Sequence, residues 1–135
     1  MISKSVAETI KIGENFANTL NGGEVILLRG DLGAGKTHFV KGVAKSLGIT
    51  KTVTSPTFTL HNIYKGEKLT LNHFDFYRIT EEEAEALGLE EYFGKSDAVC
   101  FIEWSENISG LLPKQNIVVN IAVTGEKTRE IEIIR

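Results

Sequence analysis

The chain has little of several things that usually decide a fold. It has one cysteine and two prolines in 135 residues. With Cys100 alone, an internal disulfide is excluded, and its place in an apolar run reads as core rather than as a reactive thiol. No segment reaches the ~20 apolar residues of a membrane span, and no apolar signal region is visible near Met1, so the expected location is cytoplasmic. Basic residues are not in excess: 15 Lys and Arg stand against 18 Asp and Glu, for a net charge of −3. That balance counts against a chain whose main task is to grip nucleic acid electrostatically. No repeat and no low-complexity tract occurs, and the length suits one domain over residues 1–135.

Glycine is present where it matters. Gly30-Asp31-Leu32-Gly33-Ala34-Gly35-Lys36-Thr37 fits the phosphate-loop pattern G-x-x-x-x-G-K-[ST]. A short apolar run, Val25-Ile26-Leu27-Leu28, precedes it and reads as a buried strand. Residues 36–47 follow with helical periodicity, so the loop joins a strand to a helix, as the chemistry requires. Loop amides and the helix N-terminus then favour phosphate, Lys36 reaches the outer phosphates and the Thr37 hydroxyl meets a magnesium ion.

Upstream, residues 5–20 read as an amphipathic helix, with Ser5 and Glu8 as a capping box and Asn21-Gly22-Gly23 as its stop. Downstream, residues 53–58 place the hydroxyls of Thr54, Ser55 and Thr57 around Pro56. Such a loop fits a sensor of the terminal phosphate, and equally a polar turn. Residues 58–64 and 68–74 read as a hairpin around Lys65-Gly66-Glu67. It ends in His73-Phe74-Asp75-Phe76-Tyr77-Arg78. Asp75 there could hold a metal through water or position an attacking water, or it could cap a turn or pair with Arg78. His73 shares its side of the strand and reads as a hydrogen-bonded packing residue. Thr80 and Glu83 form a second capping box. Ala98-Val99-Cys100-Phe101-Ile102-Glu103 is a second buried strand, ending in a carboxylate where open α/β sheets keep their ligand sites. Trp104 next to it fits packing over the site or a partner contact, and equally a half-buried core aromatic. Residues 116–123 and 128–134 read as a final hairpin, its second strand an edge because Glu130 and Glu132 alternate with Ile131 and Ile133.

The phosphate loop, Ser55-Pro56-Thr57-Phe58, the 73–78 motif and Glu103-Trp104, in that order and spacing, resemble the bacterial TsaE (YjeE) family over nearly the whole chain. The resemblance implies a P-loop NTPase-like three-layer α/β fold, with a mixed sheet of parallel core and antiparallel hairpins. It also implies a small ATPase of tRNA threonylcarbamoyladenosine synthesis that acts with TsaB and TsaD, with tRNA met indirectly or through shared contacts. In that setting TsaD transfers the threonylcarbamoyl group to the adenosine beside the anticodon, and ATP hydrolysis resets the complex. By the same resemblance ATP or ADP binds along Asp31, Leu32, Gly33, Ala34, Gly35, Lys36, Thr37 and His38, with Thr57 and Trp104 nearby. Thr37 and Glu103 hold Mg2+, while Asp75, Glu103 and Lys36 carry hydrolysis. Val6, Thr9 and the loop near Gly125 help enclose the adenine.

Rival readings are weaker. A GTPase needs an N/T-K-x-D motif, which is absent, and a small kinase usually carries an arginine-bearing lid, while this chain has only four arginines. A nucleotide-sensing adaptor with incidental hydrolysis stays open. One departure from the family is His38, where a threonine is usual. Its backbone N–H remains, so altered affinity or pH dependence is expected rather than lost binding. Accordingly, His38→Thr is expected to keep or raise ADP affinity in calorimetric titration; a fall would show that histidine is not the poorer residue.

Overall fold

A computed structural model describes all residues, Met1–Arg135. The two apolar runs form the middle of the sheet. β2 (Val25–Arg29) and β5 (Ala98–Glu103) are parallel and paired, and residues 25–28 and 98–103 are all buried. The full order is β1-β7-β6-β2-β5-β4-β3. β6 (Ile117–Val123) lies parallel to β2, and β4 (Thr70–Asp75) lies parallel to β5. Antiparallel strands close both ends: β3 (His61–Lys65) on β4, and β7 (Arg129–Ile134) on β6. The expected mixed sheet with parallel core and antiparallel hairpins is therefore what forms.

Strand alternation divides the core into two layers. Ile26, Leu28, Leu71 and Phe101 pack with Phe16, Phe39 and Val43 on one face. Val25, Leu27, Phe74, Cys100 and Ile102 pack with Ala84, Leu89 and Ile108 on the other. The first face carries α1 (Val6–Ala17) and α2 (Lys36–Ser46). The second carries α3 (Glu81–Ala86) and two 3-10 turns, Leu89–Tyr92 and Ser105–Leu111. Cys100 belongs to that layer; burial pushes its thiol up to about 12, which keeps it protonated and unreactive.

Several boundaries differ from the sequence reading. α1 stops at Ala17 rather than residue 20. Ser5 caps it through the Glu8 amide at 3.1 Å, but the Glu8 carboxylate accepts from the Lys4 amide, so the box is half made. The Thr80–Glu83 box is complete. β3 begins only at His61, because Leu60 sits at φ 67 and breaks the extended run from Phe58. β7 is not an edge. A two-residue strand, β1 (Ile2–Ser3), covers its start by pairing Ile2 with Glu130 and Ser3 with Arg129. So short a strand carries no periodic signal; the outer strands are β1 and β3.

Helices α1 and α2 pack backbone to backbone. A Cβ on Gly13 would strike the Phe39 carbonyl oxygen, and one on Gly42 would strike that of Ile10. Both neighbours are helical backbone and cannot swing aside. Gly42→Ala should gain about 1 kcal/mol of helix propensity. Overpacking should cost more, leaving a net loss of about 1–3 kcal/mol. Urea unfolding checks this, and an unchanged or raised midpoint would contradict the close approach.

Candidate functional site

The loop after β2 is fixed by sequence-local rules. Gly33 and Gly35 hold φ of 83 and 100, where a Cβ is strained. At Gly30 a Cβ would lie 2.6 Å from the Ile121 carbonyl oxygen, so the chain can leave β2 close under β6 only as glycine. Inside the loop, the Ala34 N–H donates to the Asp31 carbonyl at 2.9 Å. The first helical bond runs from the Phe39 N–H to the Gly35 carbonyl at 3.0 Å. The amides of Gly33, Gly35, Lys36, Thr37 and His38 make no hydrogen bond within the chain. They belong to the loop and the first turn of α2, where unpaired donors and the helix dipole together favour an anion.

These residues border a cleft of about 1070 Å³ at the carboxyl ends of β2, β4 and β5. All ten sequence-derived binding residues, 31–38 with Thr57 and Trp104, border this cleft, and so do the two acids Asp75 and Glu103. Among them Leu32 is wholly exposed. Val6 and Thr9 line the cleft as expected. Gly125 does not; the next two residues of its hairpin, Glu126 and Lys127, do.

The two acids are neighbours because Asp75 and Glu103 are register partners at the ends of β4 and β5. Asp75 accepts the Thr57 hydroxyl at 3.2 Å and the Tyr77 amide at 2.9 Å. Ser55 and Thr57 share a hydroxyl bond of 2.7 Å. The loop around Pro56 is thus tied to Asp75. Arg78 is not its partner; the guanidinium instead lies 5.5 Å from the Phe58 ring. Glu103 is held from two sides, by Lys36 Nζ at 3.1 Å and by His73 Nε2 at 2.7 Å. A carboxylate has no proton to give, so Nε2 donates. His73 is wholly buried and its Nδ1 has no partner. Trp104 is 42% exposed at φ 59 and rests on Tyr77, with ring centroids 4.8 Å apart. Sequence reasoning gave no role to Tyr77, Glu106 or Arg129, which also border the cleft. Tyr77 stands inside a quoted motif, whereas Arg129 follows an ordinary turn and carries no local signal.

Burial alone would raise the Glu103 pKa, and it is the largest single influence. The His73 hydrogen bond and the charges of His73 and Lys36 together outweigh it, so the pKa is lowered. A lowered carboxylate pKa stabilises the fold above the unfolded value, and that contribution is lost as pH falls through the folded value. Glu103→Gln should therefore be less stable than the parent by on the order of 1 kcal/mol near neutral pH. The gap should close as pH falls below the ordinary glutamate range and through the lowered folded value. Urea titrations across pH measure it; a gap that widens on acidification would refute the assignment.

Comparison with known proteins gives the family of the chain. A family model described as "Threonylcarbamoyl adenosine biosynthesis protein TsaE" matches residues 3–131. The TsaE protein of Bacillus subtilis (strain 168) is 46% identical over 124 residues, covering 92% of this chain and 77% of its own. That of Treponema pallidum (strain Nichols) is 40% identical over 134 residues, covering 98% and 97%. Both carry the name tRNA threonylcarbamoyladenosine biosynthesis protein TsaE. The crystal structure of Bacillus subtilis YdiB superposes with a TM-score of 0.83 at 39% identity, over 97% of this chain and 80% of that one. With strand, loop, helix and both acids in place and the match running nearly end to end, the chain belongs to the TsaE family.

Proposed function

We propose that the cleft binds ATP with magnesium and hydrolyses it, and that the chain does so in tRNA threonylcarbamoyladenosine synthesis together with TsaB and TsaD. One observation carries the reading. Five unpaired amides of the phosphate loop and the first turn of α2 share a single cleft with the Lys36 ammonium and two carboxylates, Asp75 and Glu103. Unpaired donors suit phosphate oxygens, and carboxylates suit a hydrated divalent cation.

Each side chain has a distinct task. The loop amides and Lys36 cradle the phosphates. Lys36 now contacts Glu103, and phosphate competes for the same ammonium; once it is engaged there, Glu103 Oε1 is released while His73 keeps Oε2 fixed. Thr37 and Glu103 are the groups that would hold magnesium, whose charge screens the phosphates and orients them. Asp75 orients water, steadied by Thr57 and the Tyr77 amide. The Ser55–Thr57 loop reports whether the outer phosphate is present, because its hydroxyls and Asp75 share one hydrogen-bonded chain. No helix is long and apolar enough to cross a membrane.

Hydrolysis and multiple-turnover tRNA modification, each measured with and without TsaB and TsaD, test it. Asp75→Asn should bind ATP yet lose about 10²–10⁴-fold in hydrolysis. Lys36→Ala should lose both binding and repeated turnover. If the partners leave hydrolysis unchanged and Lys36→Ala still supports repeated rounds, the hydrolytic role is wrong and the chain is a nucleotide-sensing adaptor.

A further inference from the structure

Arg129 opens β7, far from the phosphate loop in sequence, yet its guanidinium is spent almost wholly on backbone carbonyls of two loops. Nε donates to the Ala34 carbonyl at 3.1 Å and Nη2 to that of Gly33 at 3.2 Å. Nη1 donates to Gly125 at 3.2 Å and to Thr128 at 2.9 Å. No carboxylate lies within ion-pair distance of it. The side chain therefore behaves as a planar fork joining the phosphate loop to the β6–β7 hairpin.

A trans peptide is planar, with its C=O and the next N–H pointing opposite ways. Holding the Ala34 carbonyl on the Arg129 side therefore turns the Gly35 N–H to the other side. That amide has no partner within the chain and belongs to a cleft-lining residue. The neighbouring Gly33–Ala34 peptide is pinned at both ends, by Arg129 on its oxygen and by the Asp31 carbonyl on its N–H. Both flanking glycines hold left-handed φ, and glycine resists peptide rotation least. An external clamp is what fixes these planes.

We propose that Arg129 is a positioning residue for the phosphate end of the cleft. It aims the Gly35 amide by gripping the Gly33 and Ala34 carbonyls, and it couples that loop to the hairpin carrying Glu126 and Lys127. The role rests on the nucleotide reading above only for its ligand; the bracing itself is a property of the free chain.

Two measurements on wild type, Arg129→Lys and Arg129→Gln separate these levels. The first is amide hydrogen exchange, without nucleotide, at Ala34 and Phe39, whose N–H groups are bonded to the Asp31 and Gly35 carbonyls. Both variants should exchange faster there while the centres of β2 and β5 keep their protection. Unchanged exchange at those amides overturns the bracing whatever the cleft binds. The second is calorimetric affinity for ADP and for adenosine. Loss of charge-assisted bonds to two loop carbonyls should weaken ADP by about tenfold or more in both variants. Adenosine, which lacks phosphates, should change less. Lysine keeps the charge and the apolar stem but not the fork, so restored ADP affinity in Arg129→Lys would overturn the fork geometry. Equal losses for ADP and adenosine would overturn the phosphate-end role. Wild type that binds no ADP would instead sink the nucleotide reading, and the exchange result would still decide the bracing.

Discussion

The register of three parallel strands governs the rest of the molecule. β2, β5 and β4 run side by side in one direction, so their carboxyl ends open on one edge of the sheet. Asp75 and Glu103 are paired in that register, and the phosphate loop leaves β2 beside them. Side chains alternate between faces, so a slip of one residue would turn an acid to the opposite face. Phe74 and Ile102 occupy that opposite face now, in the second apolar cluster of the core. The alternation that builds the two halves of the core therefore also decides which polar groups meet in the cleft.

The remaining walls depend on how closely backbone can approach backbone. Gly13 and Gly42 let α1 lie against α2, and this carries the first turn of α1, with Val6 and Thr9, to the rim of the cleft. Ser3 strengthens the same corner, as its hydroxyl reaches Thr9 at 2.7 Å. Ser3 also pairs with Arg129 across β1 and β7. The segment at the start of the chain and the last strand are thus tied to one another on the side where Arg129 braces the loop.

Local signals made much of this legible. The apolar runs at 25–28 and 98–103 have no polar face and so had to be central strands, and the glycine loop named its own geometry. Thr80 with Glu83 marked a helix start that formed as expected. What escaped notice was tertiary. β1 is two residues long, and only its pairing with β7 makes it a strand. His73 was readable as a hydrogen-bonded buried residue, but not as a partner of Glu103, because the contact crosses from β4 to β5. Arg129 is separated from Ala34 by 95 positions, and no spacing rule reaches that far. The hairpin loop near Gly125 does border the cleft, through Glu126 and Lys127.

The buried polar groups at the strand ends are poor choices for stability alone. His73 lies in the same layer as Leu71 and Phe101 and is wholly enclosed, with Nδ1 unpartnered. An unpaired buried polar atom costs about 1–3 kcal/mol, which an apolar residue would avoid. Trp104 adds a backbone at φ 59, a conformation that costs a non-glycine residue roughly 1–2 kcal/mol. Both departures stand next to Glu103, and the other non-glycine residue at positive φ, Leu60, accepts the Asp75 amide at its carbonyl. They fix one carboxylate oxygen on a ring that cannot rotate away and turn the chain sharply just beyond it. Strain gathered around the two acids at the strand ends is the pattern of a site kept for something other than stability.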